Sequence, residues 1–417
     1  MNIGILLTEF PNQTSISMWR VGDALRKQGH SVNILSTRKS KLQDVCHQSL
    51  QADVESALYA WPPNFGKALL FALHRPNRIL ACLQYIFSLD ESGFVEKLKL
   101  IPMIASAIKI AKFSKANNIE HVLVHSLANG AHLINLSYLS GGPNFSLRLG
   151  GDLEAYGKDH KSKFSNALFT LPASLNNRDQ ILEYKLIDRK KILTTWLGVD
   201  TEKFTPRSNS LKNDILQLVT VARLNPAKGH IYALESLLEL QKQNIRFHYT
   251  IAGSGPYENT LKSFVNEHNL DEHVTFTGHV DESKAIVLLQ SADIFLLNSI
   301  GIGEASPVSL IEAMACGLPC ISSIIGGTPQ IITDGKDGIL IPQKDVDALT
   351  SSIAKLATDL QLCKEIGKNA RTSAIEYFSC QQVAAAFTDA ITTITSNSEF
   401  DLEKLSPIVK KLNKAAT

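Results

Sequence analysis

Short apolar runs alternate with longer segments of helical periodicity along the whole chain. Nearly continuous apolar runs of about four to eight residues are typical of parallel strands covered on both faces. In the first half they occupy 2–7, 31–36, 121–125, 145–149, 167–171 and 191–196. A second series occupies 215–222, 246–252, 273–277, 293–298, 318–322 and 338–341. Helices are predicted around this second series at about 228–243, 257–269, 282–291, 307–316 and 345–358. This alternation indicates right-handed crossovers, so we predict an α/β protein with two doubly wound parallel sheets.

The strand–helix pattern runs twice, which predicts two domains. The polar segment GVDTEKFTPRSNSLKND, residues 198–214, separates the two series. We therefore expect an N-terminal domain over 1–198, a linker over 199–214 and a C-terminal domain over 215–377. Residues 378–417 are expected to form a helix and a tail that pack back on the N-terminal domain. Two such sheets facing each other would place ligands in a cleft at the carboxyl ends of the strands.

Composition narrows the class of protein. The 417 residues include 42 Lys and Arg and 40 Asp and Glu, so the formal charge is +2. Dedicated DNA binders carry a strongly basic domain, so we expect no nucleic-acid partner. The six cysteines include no C-x-x-C pair, which argues against a disulfide scaffold or a zinc site. The first ten residues, MNIGILLTEF, lack a basic n-region, and no run approaches about 18 apolar residues. We expect a cytoplasmic protein.

The segment KLKLIPMIASAIKIAKFSK, residues 97–115, mixes five lysines with apolar residues. One interpretation is an interfacial basic helix that contacts anionic lipid at the inner face of the cell membrane. The other is a surface helix with one buried face. We favour the second interpretation and keep peripheral membrane contact as an expectation.

The segment SIGIGEASPVSLIEAMACGLPC, residues 299–320, carries the most chemical information. Glu304 lies in a Gly-rich loop after a predicted strand, Ser306 and Pro307 suit the start of a helix, and Glu312 falls on its second turn. The free N–H groups at that helix start form an anion site suited to phosphate. Carboxylates on either side of an anion site suit hydroxyl groups, so the arrangement predicts a nucleotide sugar. Alternatively, one of the two glutamates is simply a solvated helix residue.

Two further segments place cations and glycines at the same edge of the predicted sheet. Arg223 ends a strand and Lys228 begins the next helix, where two cations would neutralise a diphosphate. Gly253 and Gly255, in IAGSGP, would let the backbone approach a phosphate or ribose closely. Surface cations and an ordinary tight turn are the alternatives. A dinucleotide fingerprint is missing here, since no third glycine follows at the required spacing.

These segments together resemble a known family. The motifs VARL…KG, IAGSGP, FTGHV, GEASPVSLIEAMACGLPCI and GGTPQII occur in the order found in family 4 glycosyltransferases of the GT-B fold. The segment TEFPNQT…GDALRKQGHSVNILS resembles the opening of the bacterial polysaccharide branch, of the colanic-acid type. The segments FSLRLGGDLEAYG and LTTWLGVDTEKFTP extend the likeness over nearly the whole chain. The resemblance implies two Rossmann-like domains that face a central cleft.

The resemblance also implies an activity. Family members transfer a hexose, with retention and without a metal, from a nucleotide diphosphate sugar to a hydroxyl group. By likeness, the donor here would be a UDP- or GDP-sugar and no other cofactor would be needed. The acceptor would be a glycan or a lipid-linked sugar in the biosynthesis of a cell-surface polysaccharide such as lipopolysaccharide.

Site residues are carried over from the family by motif. Arg223 and Lys228 match the pair that binds the diphosphate, Glu312 matches the ribose-binding glutamate, and Glu304 matches the one that contacts the transferred sugar. The remaining donor-side residues are the backbone amides near Pro307, Val308 and Ser309, the base-side Val280, and the N-terminal loop around Gln13, Thr14 and Ser15, expected to face the diphosphate from the other domain.

One departure from the family concerns the acceptor side. Family members often carry a histidine that contacts the sugar where this sequence has Gly150. Arg148 and Asp152 are our acceptor-side candidates, with a local ion pair or a helix cap as the alternative. The missing histidine also leaves open a catalytically weak or inactive sugar-nucleotide-binding protein. An epimerase or a phosphorylase would need acid and base residues or a cofactor-bearing lysine, of which the sequence shows no sign.

Overall fold

The computed structural model describes residues 1–40, 50–125, 127–207, 215–301, 304–396 and 400–416, with the backbone alone at 13, 14 and 414–416. Its strands are β1 (Asn2–Phe10), β2 (Ser31–Lys39), β3 (Leu58–Tyr59), β4 (His121–His125), β5 (Asn144–Leu149), β6 (Phe169–Pro172), β7 (Leu216–Val221), β8 (Phe247–Ala252), β9 (Val274–Gly278), β10 (Ile294–Leu297), β11 (Cys320–Ser323) and β12 (Ile339–Ile341).

The helices lie between these strands and after the last of them. They are α1 (Gln13–Lys27), α2 (Gln51–Ser56), α3 (Phe65–His74), α4 (Pro76–Phe87), α5 (Phe94–Leu100), α6 (Met103–Ala116), α7 (Asn129–Leu139), α8 (His160–Phe164), α9 (Leu175–Glu183), α10 (His230–Lys242), α11 (Glu258–Glu267), α12 (Glu282–Ser291), α13 (Val308–Ala315), α14 (Thr328–Ile331), α15 (Val346–Thr358), α16 (Leu360–Ser373), α17 (Cys380–Ser396) and α18 (Pro407–Ala416).

Two six-stranded sheets organise the chain, and the strands of each pair in parallel. The first has the order β3-β2-β1-β4-β5-β6 and the second the order β12-β11-β10-β7-β8-β9. Each order reverses between the first and fourth strands of its sheet, which is the arrangement of a doubly wound fold. The predicted α/β class with two doubly wound parallel sheets is therefore confirmed.

The chain divides into two compact units, each built on one sheet. Unit 1 comprises Met1–Leu197 with Val383–Lys410, and unit 2 comprises Gly198–Gln382 with Lys411–Thr417. Helix α17 supplies Phe387 to unit 1, where its ring lies 5.6 Å from that of His121 and 5.9 Å from that of Phe169. The first unit is thus completed by a segment from near the end of the sequence.

The predicted linker at 199–214 is packed for most of its described length. Val199 forms a bridge with Ser379, and Phe204 is fully buried. The Arg371 guanidinium donates to the carbonyl oxygens of Thr201 at 2.9 Å and Phe204 at 2.5 Å. Residues 199–207 therefore belong to unit 2 and are not a free connection, and 208–214 lie outside the described residues.

Two other sequence expectations need correction. Residues 191–196 were predicted as a strand. They run beside β6 but form only one bridge with it, between Thr170 and Ile192, and Thr195 N also donates to Pro172 O at 3.0 Å.

The segment 97–115 is not one helix, because α5 ends before Pro102 and α6 begins after it. Helix α6 has buried residues along most of its length, so the interpretation as a helix with a buried face is the one that fits.

Candidate active site

Three candidate site residues of unit 2 lie in the two loops where the order of its sheet reverses. Strands β7 and β10 are neighbours there, and the loops after them leave the same carboxyl edge. Arg223 and Lys228 lie in the loop after β7, and Glu304 lies in the loop after β10. Ile300 N donates to Ala227 O at 2.8 Å, which joins the two loops directly. Ligands of doubly wound folds bind at this position.

Lys228 and Glu304 are in direct contact. The Lys228 ammonium donates to Glu304 Oε1, and the Ser299 hydroxyl donates to the same oxygen at 2.7 Å. The side chains are 20% and 8% exposed, so the pair is largely shielded from solvent. A short 3₁₀ helix, Pro226–Lys228, positions the lysine, and Asn225 caps it by accepting from Lys228 N at 3.2 Å. The structure thus brings together two of the three predicted catalytic residues.

The backbone at Glu304 is held in an unusual conformation. Its φ of +57° lies in the left-handed region, which costs a non-glycine residue about 1–3 kcal/mol. Gly327 N donates to Glu304 O at 2.9 Å, and Gln343 accepts from Gly301 N at 2.8 Å in the same loop. Contacts from the loops after β11 and β12 therefore hold the backbone of the loop that carries Glu304.

Glycines allow these loops to approach one another. A Cβ at Gly229, where φ is +62°, would lie 1.8 Å from Asn298 O. A Cβ at Gly253 would lie 1.9 Å from Ala222 O, and one at Gly255 would lie 2.2 Å from Leu224 O. The observed neighbours of Gly253 and Gly255 are therefore carbonyls of the chain itself, so the packing of one loop on another already requires these glycines.

Helix α13 begins immediately after Glu304. Its N-cap is Pro307 and its first residue is Val308, one position later than the sequence pattern suggested for Ser306. No side chain caps this end, and the first N–H groups of a helix, here those of Val308 and Ser309, have no partner within the helix. Glu312 is on the second turn and 9% exposed. The predicted order of carboxylate, helix start and second carboxylate is present in the structure.

The other end of α13 is held by a residue that the sequence patterns did not identify. Arg371 donates to Ala315 O at 2.6 Å, in addition to its contacts with Thr201 and Phe204. A cation at a helix C-terminus complements the helix dipole. Only the fold shows this role, since Arg371 lies 56 residues beyond Ala315 in sequence. Asn225 could have been found, because Asn before Pro is a typical helix start.

Two other donor-side candidates also follow strands at this edge. Arg223 is exposed, and His230 Nε2 lies 3.2 Å from its carbonyl oxygen. Burial lowers the pKa of His230 to about 4, so this imidazole is neutral at pH 7. Val280 is half-buried, two residues after the end of β9. Their backbone positions therefore agree with a ligand at the carboxyl edge of the sheet.

In unit 1, the expected N-terminal loop is the first turn of a helix. Asn12 caps α1 by accepting from Ser15 N at 2.8 Å, and the Ser15 hydroxyl accepts from Asn12 N at 2.9 Å. Ser15 is buried, and its hydroxyl is occupied by this capping box. The side chains of Gln13 and Thr14 lie outside what the structure describes.

The acceptor-side candidates have internal partners. Arg148 is fully buried; its guanidinium donates to Thr195 Oγ1 at 3.1 Å and to the carbonyl oxygen of Trp196. A side chain with no exposed surface does not contact an acceptor, so this expectation needs correction. Asp152 is half-buried and accepts from Asn177 Nδ2 at 3.3 Å, ahead of a short 3₁₀ helix, Leu153–Tyr156.

Gly150, where the family often has a histidine, lies beside another imidazole. A Cβ at Gly150 would be 3.8 Å from His125 Cε1 and 3.9 Å from the Tyr156 hydroxyl. The Tyr156 hydroxyl accepts from Gly150 N at 3.2 Å, and burial raises the pKa of this tyrosine. His125 ends β4, next to β1, where the order of the first sheet reverses. The region lacks the histidine at 150 but has an imidazole next to it.

The described residues contain no group of three or more His, Cys, Asp or Glu side chains suited to holding a metal ion. Within the same residues, no helix combines the length and the apolar content that crossing a bilayer requires.

Comparison with known proteins identifies the class of the site-bearing unit. Residues 201–373 match the sequence model of the family described as Glycosyl transferases group 1. This range contains the Lys228–Glu304 pair, α13 and the loops that brace them. Unit 2 is therefore a group 1 glycosyltransferase domain.

Similarity to individual proteins extends this result. The chain is 32% identical over 210 residues to a colanic acid biosynthesis glycosyltransferase, WcaL, of Salmonella typhimurium, an alignment that covers 49% of this chain and 52% of that protein. The chain spans about half the length of the curated relatives it matches.

A glycosyltransferase structure from Rickettsia africae superposes with a TM-score of 0.73 at 19% identity, over 95% of this chain and 99% of that one. Anabaena HepE in complex with UDP gives a TM-score of 0.70 at 13% identity, over 94% and 100%. These neighbours have the GT-B fold, which is thereby the fold of this chain.

Proposed function

We propose that the protein is a retaining glycosyltransferase that moves a hexose from a UDP- or GDP-sugar to a hydroxyl group of a glycan or lipid-linked acceptor. We place the reaction in cell-surface polysaccharide biosynthesis, as the name of the Salmonella relative suggests. The single observation that supports it most is the contact between Lys228 and Glu304 directly ahead of the uncapped start of α13. No metal or other cofactor is needed in this proposal.

In the proposed reaction, negative charge grows on the diphosphate as its bond to the sugar lengthens. Lys228, Arg223 and the amides of Val308 and Ser309 stabilise that charge, because preorganised donors and cations act most strongly where charge develops. The acceptor hydroxyl forms the new bond to the sugar carbon from the face of the leaving group. Its proton passes to the departing phosphate, so no separate base is required.

The two glutamates have different parts in this proposal. Glu304 accepts from hydroxyl groups of the transferred sugar, and its contact with Lys228 couples the sugar position to the phosphate position. Glu312, on the side of α13, accepts from the ribose hydroxyls. Each carboxylate would thus meet hydroxyl groups rather than the anion between them. Val280 would contact the base.

The proposal is tested by replacing Lys228. We expect Lys228→Ala to lower the rate of sugar transfer by about a hundredfold or more, the range for loss of one donor to a transition-state charge. The measurement is release of the nucleoside diphosphate from a panel of UDP- and GDP-sugars, with thermal unfolding as the check on folding. The matched control is Lys355→Ala, an exposed lysine on α15 of the same unit, which should retain full activity. Wild-type activity in the Lys228→Ala variant would remove the assigned role.

The glycine at position 150 favours a second candidate, a protein of the same fold that binds a sugar nucleotide without turnover. The same panel separates the two. Calorimetric binding of one donor, with neither transfer nor hydrolysis of it by the wild-type protein, would favour the second candidate. Turnover of the bound donor would exclude it.

A further inference from the structure

The exposed apolar side chains of the protein are concentrated on three consecutive helices of unit 1. Of the sixteen exposed large hydrophobic residues in the described part of the chain, ten lie between positions 61 and 98. They are Trp61, Phe65, Leu69, Leu70, Leu73, Leu80, Phe87, Phe94, Val95 and Leu98. We call the surface formed by these side chains on and before α3, α4 and α5 the apolar face. A concentration of this kind marks an interaction surface, whereas exposed apolar residues scattered singly need no explanation.

Packing within unit 1 does not account for this face. Helix α3 uses Ala68 and Phe71 against the core of the unit, but it has no buried residue and exposes Leu69 and Leu73 at 64% and 70%. Helix α5 likewise has no buried residue. These helices are therefore apolar on a side that the fold itself does not use.

The charge of α3 and α4 is one-sided, whereas α5 and the turn before it carry Asp90, Glu91 and Glu96 as well as Lys97 and Lys99. No Asp or Glu occurs between Glu55 and Asp90, a stretch that contains Lys67, Arg75 and Arg78. A surface that is both apolar and cationic complements an anionic membrane, where apolar side chains enter the boundary with the acyl chains and cations meet the headgroups. An uncharged partner would not explain why this stretch carries basic but no acidic residues.

Two lysines of the 97–115 segment, Lys97 and Lys109, donate to backbone carbonyls of unit 1. Lys109 Nζ donates to Tyr59 O at 2.7 Å and to Pro62 O at 3.1 Å. Lys97 Nζ donates to Phe87 O at 3.0 Å. Lys97 and Lys109 therefore hold neighbouring segments of unit 1 together, and the cations that we assign to membrane contact are the exposed Lys67 and Arg75.

We propose that the apolar face is the docking surface of this protein for a bilayer containing anionic phospholipid. The inference deepens the proposed function, since a lipid-linked acceptor is presented at such a surface, and its geometric support is independent of the donor site. The bound protein would lie on the membrane with α3 and α4 against it, without crossing it.

The test is sedimentation with vesicles of phosphatidylcholine, with and without phosphatidylglycerol. We expect the wild-type protein to bind the anionic vesicles and to release them at high salt. The variant Leu69→Ser/Leu73→Ser should bind at least about a hundredfold more weakly, because two large apolar contacts with the bilayer are lost. The variant Lys67→Gln/Arg75→Gln should lose most of the preference for phosphatidylglycerol.

A matched control replaces two apolar residues of comparable exposure elsewhere. Val287 and Leu360, 63% and 57% exposed in unit 2, are changed in Val287→Ser/Leu360→Ser, which should bind vesicles like the wild type. Failure of the wild type to bind anionic vesicles, or equal binding by Leu69→Ser/Leu73→Ser, would overturn the proposal. So would sedimentation velocity showing that the apolar face closes a dimer. Hydrolysis of a soluble donor should be unchanged in Leu69→Ser/Leu73→Ser, which keeps this test separate from that of the donor site.

Discussion

At the scale of single residues, the same side-chain type has different roles at different places. Arg223 is exposed at the carboxyl edge of its sheet, whereas Arg148 and Arg371 bind backbone carbonyls. All three are arginines near the end of a strand or helix, so residue type and position in the sequence do not distinguish their roles. Burial and hydrogen-bond partners distinguish them, and they indicate that Arg148 stabilises unit 1.

The structural role of Arg148 leads to a stability prediction. Arg148→Met keeps much of the side-chain volume but leaves the Thr195 hydroxyl and the Trp196 carbonyl without this donor. Lost hydrogen bonds to a buried charged group cost about 1.5–3 kcal/mol each, so we expect the free energy of unfolding to fall by about 3 kcal/mol. Thermal unfolding measures the loss, and calorimetric titration with a donor should show unchanged affinity. A stable variant with a raised acceptor KM would instead restore the acceptor-side role.

At the scale of elements, the site depends on how closely the loops after β7, β8 and β10 pack. The Lys228–Glu304 contact joins residues 76 positions apart, and the register of β7 beside β10 makes it possible. Gly229 is where one loop passes against the other with no room for a side chain. Loop packing therefore has consequences for the site as well as for stability.

A glycine replacement tests this loop contact. Gly229→Ala places a methyl group 1.8 Å from Asn298 O at a φ of +62°, so the backbone must move and carry Lys228 with it. We expect a large loss of thermal stability together with at least tenfold slower transfer. The control is Gly335→Ala, where φ is +72° but no atom lies within 4 Å of the new Cβ. This control should cost only about 1 kcal/mol, the conformational penalty alone, and leave transfer intact. Equal effects from the two replacements would refute the importance of the contact.

The sequence predicts the bounds of a strand or helix well where the spacing of its apolar residues follows directly from which face is buried. Buried strands such as β4 at His121–His125 and helices such as α12 at Glu282–Ser291 have the predicted bounds, because their apolar spacing reports a covered face directly. The segment 191–196 is buried beside β6 and donates to it from Leu193 N and Thr195 N, but it forms only one bridge, because burial does not require a full strand ladder. The residue types of the candidate site were also predictable. The Lys228–Glu304 contact and the braces from Gln343 and Arg371 were not, because they depend on which loops the sheet brings together.

At the scale of the whole molecule, both units have the same strand order. Read from its β9 edge and numbered within the unit, the second sheet has the order 3-2-1-4-5-6, the order of the first.

Each unit also buries histidines: His121 and His132 in unit 1 and His230 in unit 2. Because both units bury histidines, we expect the stability of both units to depend on pH.

These histidines predict acid sensitivity. Burial lowers the pKa of His121 to about 3 and those of His132 and His230 to about 4, whereas the unfolded chain titrates them near 6.5. Between about pH 6.5 and 4 the unfolded chain therefore binds protons that the folded chain does not, so stability falls as pH falls. We expect the unfolding temperature to drop between about pH 7 and pH 5, as measured by calorimetry. His230→Gln should reduce the drop, and replacement of the exposed His268 by Gln should not. A pH-independent unfolding temperature would contradict this account.

The return of α17 to unit 1 has a consequence for synthesis on the ribosome. Residues 198–382 are synthesised before Phe387. All strands of the second sheet have therefore been made before the first sheet can pack against Phe387. During that interval the growing polypeptide leaves the surroundings of Phe169 and His121 uncovered. A chaperone that shields this patch would therefore act late in translation, after residues 198–382 have been made.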